Sequence, residues 1–260
     1  MPLLSATGRK SVALAPALPI NCHPLSKWVQ FRRGQFSIVA GAPGSGKSLV
    51  ATNIAIQSRV PTLFFSADSD EYTVRTRALA ILTGQKLDII EEQIKQPGGA
   101  DYYAQKLSAV DAADFCFRSD IDLDFIVHRL NAYSELRGEP PHLVIVDNLT
   151  NSVIDTDNEY SELRSICREL QLIARDTNAH VMALHHVKGI HEQAEKRSVS
   201  IGLGSLQYNL GKIPEIVLGI NRPTDSTVNM SVPKNRSGKS DIDFLIDLDY
   251  TTATLSGFTR

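Results

Sequence analysis

The chain has 260 residues, an ordinary share of apolar residues and a formal net charge of −2. That is length enough for one large α/β domain with a buried core, and too little positive charge for a protein that coats nucleic acid with its whole surface. No apolar run approaches the roughly 18 residues of a membrane span. Cys22, Cys116 and Cys167 are too scattered for a disulfide framework or a zinc site, so a reduced, cytoplasmic compartment is the default.

Residues 1–30 read as an N-terminal arm with a possible inter-subunit role, and residues 31–260 as a single domain. In the arm, Arg9 and Lys10 precede an apolar stretch from Val12 to Ile20 that Pro16 and Pro19 interrupt. No small-residue cleavage site follows, so the stretch is not a signal peptide. Trp28 and Phe31 are candidate docking anchors near its end. Residues 35–40 form a buried apolar strand and residues 41–47 a glycine-rich turn. A helix over 48–58 then carries Leu49, Val50, Ile54 and Ala55 on its apolar side. Residues 62–66 are a second short strand, and 70–82 a helix with acidic residues in its first turn, where the dipole favours them.

Residues 84–112 are more polar and predict one or two surface helices broken at Pro97-Gly98-Gly99. A strand over 114–118, a helix over 123–136 and a turn at Gly138-Glu-Pro-Pro141 come next. Residues 143–146 are a continuous apolar strand. Leu163, Ile166, Leu170, Leu172 and Ile173 give residues 160–177 strong helical periodicity. Residues 181–184 are again a strand, 187–204 carry no sustained pattern, and 216–220 and 228–256 read as strands, the latter as hairpins. Alternation of strand and helix followed by strands alone argues an α/β fold, with a largely parallel sheet flanked by helices and an antiparallel C-terminal β extension.

Gly41-Ala42-Pro43-Gly44-Ser45-Gly46-Lys47-Ser48 matches the phosphate-binding loop pattern in full, between the strand and helix that the motif requires. The glycines let backbone N–H groups converge on phosphate oxygens, and the helix that continues through Leu49 offers its positive end to the same anion. Lys47 has the reach for the β- and γ-phosphates, and the Ser48 hydroxyl suits magnesium. These residues call for ATP and Mg2+ as ligands. Leu143-Val-Ile-Val-Asp147 is a buried strand ending in a carboxylate at the sheet edge where such folds bind ligands, the place for a second magnesium-organising group. Asp68, just past the second strand, is the candidate base for an attacking water; Asp70 and Glu71 are rivals better explained as helix-start charges.

In order and spacing these residues resemble the RecA-like motor domain of DnaB-type replicative helicases, from about residue 21 onward. Phe65-Ser-Ala-Asp-Ser69 stands where that family has Phe-Ser-Leu-Glu-Met, with Arg77 at a family arginine. Val146-Asp-Asn-Leu149 stands for Ile-Asp-Tyr-Leu, and Leu184-His-His-Val187 for Leu-Ser-Gln-Leu, so that His186 falls at the γ-phosphate sensor. Lys234-Asn-Arg-Ser-Gly238 resembles the family's Lys-x-Arg-x-Gly hairpin, which carries both cations into a neighbour's nucleotide site.

The resemblance implies a RecA-like P-loop NTPase core and catalytic roles for Lys47, Asp68, His186, Lys234 and Arg236. It implies self-association into a ring or filament, expected as a hexamer, and single-stranded or forked DNA as partner, with no membrane. The two departures, Asp68 for glutamate and His186 for glutamine, alter the hydrolytic site. The 34 residues ahead of the first strand are too few for the family's separate primase-interacting domain.

Lys188, Lys196 and Arg197 populate the long segment at the family's DNA-binding loop. Contacts there would be to phosphates, hence independent of sequence and sensitive to salt. Trp28 and Tyr208 are candidate stacking residues better explained as packing. Two other readings stay open: a recombination mediator or loader that switches on DNA without unwinding it, and a branch-structure nuclease using His185-His186 with Asp241, Asp243 and Asp247.

Overall fold

The structure, a computed structural model, describes residues 15–109, 113–152, 159–187 and 200–258. Among these, nine strands form one sheet. They are β1 (Phe36–Gly41), β2 (Thr62–Ser66), β3 (Ala113–Phe117), β4 (Leu143–Asp147), β5 (His180–His186), β6 (Ile216–Thr224), β7 (Thr227–Asn235), β8 (Ile242–Asp249) and β9 (Thr254–Leu255). Their order is β3-β2-β4-β5-β1-β6-β7-β8-β9. The first six in this order run parallel, and β7, β8 and β9 extend the sheet antiparallel. The helices are α1 (Leu25–Trp28), α2 (Lys47–Gln57), α3 (Glu71–Thr83), α4 (Leu87–Ile94), α5 (Gly99–Ala109), α6 (Leu123–Arg137) and α7 (Glu159–Thr177).

The central strands are continuous apolar runs because both faces are covered. Along β1 the side chains alternate between two cores. Val39 faces one with Val50 and Ile54 of α2, while Ile38 and Ala40 face the other with Leu163, Ile166 and Leu170 of α7. A small satellite of Leu79, Ala80, Ile90 and Tyr103 ties α3, α4 and α5 together.

From Ala15 onward the segment read as an arm is part of the body. Leu18, Ile20, Cys22, Leu25, Val29 and Phe31 are buried in the α2-side core. Leu18 N–H donates to the Phe31 carbonyl at 2.7 Å, and Cys22 bridges to Phe258. The prolines do not keep the stretch from docking, because its apolar side chains find a face of the sheet to cover. The residues that could reach another subunit, 1–14, lie outside the described residues. β6 continues past the predicted 216–220 to Thr224. Asn221 to Thr224 lack an apolar pattern and stay extended through pairing with β7, with a register shift where Pro223 sits.

Beneath β1 lies a polar contact with a pH signature. His180 is fully buried, with Nδ1 2.9 Å from the Arg32 carbonyl, Nε2 2.8 Å from Ser37 Oγ, and Phe31 edge-on to its ring. A carbonyl can only accept, so Nδ1 carries the hydrogen and Nε2 accepts from Ser37. Burial pushes this imidazole down to about 4, so folding favours its neutral form. Its stabilisation is complete above pH 6.5 and is lost as pH falls toward 4, a loss of roughly 3 kcal/mol. Asp147, raised to about 6, works in the opposite direction over the same range. The comparison is therefore with His180→Gln, which shares Asp147. Urea titrations without nucleotide should show the wild-type advantage shrinking between pH 6.5 and 4; a constant advantage refutes the assignment.

Candidate nucleotide site

Four neighbouring strands, in the order β2-β4-β5-β1, deliver their C-terminal ends to one edge of the sheet. Gly41 at the end of β1 pairs with His186 at the end of β5. Ser66 at the end of β2 pairs with Asp147 at the end of β4, and Asp68 follows two residues later. The loop from Gly41 leads into α2. Gly46 begins that helix in the left-handed conformation, φ 93°, with no side-chain cap on the helix N–H groups. Gly41 is required by close packing, since a Cβ there would lie 2.6 Å from the Ile220 carbonyl of β6. The loop tip at Pro43 and Gly44 is exposed, Ala42 half-buried, and Ser45 and Leu49 buried.

The resulting cleft, about 340 Å³, is lined by Gly44, Gly46, Lys47, Ser48, Leu49, Asp68, Ser69, Arg77 and His186 from the phosphate side. Lys47 is 4% exposed and folds back on its own loop, donating to the carbonyls of Gly41 at 3.0 Å and Ala42 at 2.9 Å. Its Nζ is also 3.1 Å from His186 Nδ1, and His186 Nε2 is 3.3 Å from Asp68 Oδ2. An ammonium can only donate, so Nδ1 accepts and the ring hydrogen on Nε2 points at Asp68. Burial lowers the Lys47 ammonium to about 8, against the pull of Asp147 and Asp68.

Asp147 is 1% exposed, and neither of its oxygens is in a hydrogen bond of normal geometry with a described residue. Burial raises its carboxyl to about 6; Asp68 adds to the rise, while Ser48, Lys47 and Arg77 oppose it. Two orphaned carboxylate oxygens beside a serine hydroxyl form the donor set that a hard divalent cation completes. Asp70 and Glu71, the rival acids, are spent on α3. Asp70 caps it by accepting from Thr73 N–H at 2.9 Å, and Glu71 pairs with Arg75 at 2.6 Å.

The far wall of the cleft was missed in the sequence. Leu87, Arg222, Tyr250 and Ala253 come from α4, β6 and the turn after β8. The Arg222 guanidinium lies 4.8 Å from the Tyr250 ring centre. Buried Asn53 of α2 holds this turn over the loop helix, donating to the Ala253 carbonyl at 2.9 Å and accepting from Leu255 N–H at 3.0 Å. Leu87 N–H donates to the Thr251 carbonyl at 2.7 Å. No motif marks these residues, because they meet only through β-hairpins some 200 positions away from the loop.

Lys234 and Arg236 are not in this cleft. β7 is antiparallel to β6 and ends at Asn235, so Arg236 lies just past the strand. Both cations nevertheless converge. Lys234 Nζ donates to the carbonyls of Gly211 at 2.7 Å and Lys212 at 3.0 Å, and Arg236 reaches the same Lys212 carbonyl at 3.2 Å. Burial, with Arg236 nearby, lowers the Lys234 ammonium to about 8. Arg236 N–H donates to the Glu215 carbonyl, and Glu215 N–H to that of Phe36. Arg236 is thus level with the start of β1, about 17 Å along the sheet from Gly41 at 3.3 Å per residue.

Lys188, Lys196 and Arg197 fall outside the described residues. Trp28 is partly buried against the core, its ring flanked by Lys27 and Lys239 at 4.7 and 5.6 Å. The proposed nuclease cluster is not assembled. β5 and β8 are four strand spacings apart, about 19 Å, and no metal-holding group of three or more such side chains occurs among the described residues.

The AAA domain family matches residues 28–189, from the entry to the sheet through the end of β5. The chain belongs to the AAA domain family. This AAA domain is 36% identical over 233 residues to the gene 65 protein of Mycobacterium phage L5, covering 87% of the chain and 85% of that protein. It is 23% identical over 226 residues to the replicative DNA helicase DnaB of Treponema pallidum, covering 80% of the chain and 48% of the helicase. A probable plasmid replicative DNA helicase of Chlamydia muridarum is 25% identical over 253 residues, 90% of the chain and 53% of that protein. The chain thus spans about half the length of these helicases.

Among solved structures, a DnaB-like replicative helicase studied with its primase interactions superposes with a TM-score of 0.78 at 15% identity, over 93% of this chain and 62% of that one. A second solved structure, an ATPase domain on its own, gives 0.76 at 14% identity, over 93% of this chain and 91% of that one. The AAA domain therefore has the RecA-like fold of DnaB-like helicase ATPase domains, a mostly parallel sheet with an antiparallel extension.

Proposed function

We propose that this AAA domain hydrolyses ATP at the interfaces between copies of itself and uses the cycle to move on single-stranded or forked DNA in the cytoplasm of a bacterial host. One observation carries the reading. Lys47, Asp68 and His186 line one cleft, with Asp147 buried beside Ser48 and Lys47 at its floor, while the two cations suited to a γ-phosphate sit at the opposite end of the strands, beyond reach of their own site. A chain so divided completes its site with a second copy, and a repeated head-to-tail contact closes a ring or winds a filament.

In this reading the loop N–H groups and the start of α2 receive the β- and γ-phosphates, and Lys47 leaves the Gly41 and Ala42 carbonyls for their oxygens. Ser48 and Asp147 hold magnesium, which supplies charge neutralisation across the phosphates. Asp68 takes the proton of the attacking water. The His186 Nε2–H orients that carboxylate. Arg236 of the neighbouring copy, with Lys234, meets the charge that spreads over the γ-phosphate oxygens.

The test is hydrolysis and mass measured together. Single-stranded or forked DNA should stimulate ATP turnover, and a non-hydrolysable nucleotide should shift the protein to a hexamer. A monomer under every condition sinks the interface reading; ATPase and DNA binding without strand displacement would mark a loader or mediator. In this reading the nucleotide base lies against the far wall and stacks on Tyr250, so Tyr250→Ala should raise the KM for ATP about tenfold, the worth of one stacked base, with kcat near wild type. An unchanged KM would remove Tyr250 from the base-contacting wall.

A further inference from the structure

We propose that Glu215 is the positioning residue for Arg236, a buried carboxylate that fixes the finger relative to the strands carrying the same chain's phosphate site. The inference rests on the interface reading above. The Glu215 side chain is 9% exposed. One oxygen accepts from Phe36 N–H at 3.0 Å; the other accepts from Gln171 Nε2 at 2.8 Å and lies 3.5 Å from Arg175 and 3.7 Å from Arg236. Its backbone doubles two of these links, donating to the Phe36 carbonyl at 2.9 Å and accepting from Arg236 N–H at 3.0 Å.

A carboxylate out of water is costly unless it is paired and hydrogen-bonded. An apolar residue before β6 would cap the core more cheaply. The elements that Glu215 joins explain its place. Phe36 opens β1, which runs directly into the phosphate loop. Gln171 and Arg175 belong to α7, which feeds β5 and its terminal His186. Arg236 is half-exposed on a turn, with only the Lys212 carbonyl as a further side-chain partner among the described residues. Glu215 ties that half-exposed guanidinium, by charge and by backbone, to the rigid frame of the sheet. A finger displaced by about 1 Å loses much of its effect on the transferring phosphoryl group.

Glu215→Gln keeps the size and an acceptor oxygen but removes the charge. The expected result is kcat lowered about 10- to 100-fold with nucleotide affinity near wild type; the melting temperature should fall, because the amide NH2 must face either Phe36 N–H or the Gln171 amide. The defect should also act on the neighbour. A Lys47→Ala copy has a dead site but an intact Glu215–Arg236 pair. Co-assembled with Glu215→Gln copies, it supplies a well-placed finger to their intact loops, so the mixture should exceed the mean of the separate activities.

Normal kcat in Glu215→Gln overturns the proposal. So does a joint loss of kcat and affinity without recovery on mixing, which a merely structural role would produce. Should Glu215→Gln fail to fold, Glu215→Asp keeps the charge with shorter reach and must lower kcat with affinity retained and with activity recovered on mixing with Lys47→Ala copies; a normal kcat there overturns the proposal. Arg236→Ala run alongside separates the two levels. If it loses turnover while Glu215→Gln does not, only the positioning role falls; if it retains full turnover, the finger itself falls.

Discussion

Arg236→Ala is expected to lower ATP turnover at least about 10³-fold, within the range an arginine supplied in trans contributes to phosphoryl transfer, while binding of a fluorescent ATP analogue stays at the wild-type level. The split follows from position. Arg236 is about 17 Å along the sheet from its own phosphate loop, and its contacts are the Lys212 carbonyl and Glu215. Removing it leaves the chain's own pocket intact, so affinity should be preserved; in the proposed reading only the neighbour would lose transition-state charge. Doping Arg236→Ala into wild-type assemblies should reduce activity in proportion to the interfaces spoiled. Turnover near wild type in the pure variant would refute the assignment; equal losses of binding and turnover would place Arg236 in its own chain's fold.

Asp68→Asn should lose about 10²- to 10⁴-fold in kcat, the usual worth of a positioned general base, again with ATP binding retained. The carboxylate is nearly half exposed and lies 3.3 Å from His186 Nε2, so its loss removes a proton acceptor without opening a hole in the core. An asparagine still meets the histidine N–H through its carbonyl oxygen, which makes this a substitution of chemistry and not of geometry. His186→Gln, with the smaller expected loss, separates positioning from proton transfer: it can still donate to Asp68. Should Asp68→Asn turn over at the wild-type rate, the base lies elsewhere, and Asp70 and Glu71 are poor substitutes, because both are engaged at the start of α3.

Local chemistry made much of this protein legible from its residues in order. The loop from Gly41 to Ser48 needs glycines where the backbone turns left-handed or passes close to β6, and those needs are written into a short motif. The strand ending at Asp147 and the stretch 181–184 before His185 and His186 are continuous apolar runs because burial on both faces demands it, and each run is followed by the polar residues of the site. The helices over 71–83, 123–137 and 159–177 agree with the sequence pattern to within one residue at either end, since capping and periodicity act over single turns.

What the residues in order could not convey depends on distant pairings. Strand order brings Gly41 beside His186 and Ser66 beside Asp147. Asn53 draws a turn some 200 residues away over the loop, making Arg222 and Tyr250 part of the cleft. The docking of residues 15–31 depended on an uncovered face of the sheet, which prolines and weak periodicity conceal. The antiparallel turn of β7 carries Lys234 and Arg236 to the end opposite the phosphate loop, away from the cleft of their own chain. Backbone requirements of a few adjacent residues are encoded locally; which edge of a sheet a side chain reaches is set by the pairing of strands far apart in the chain, which no short stretch of sequence contains.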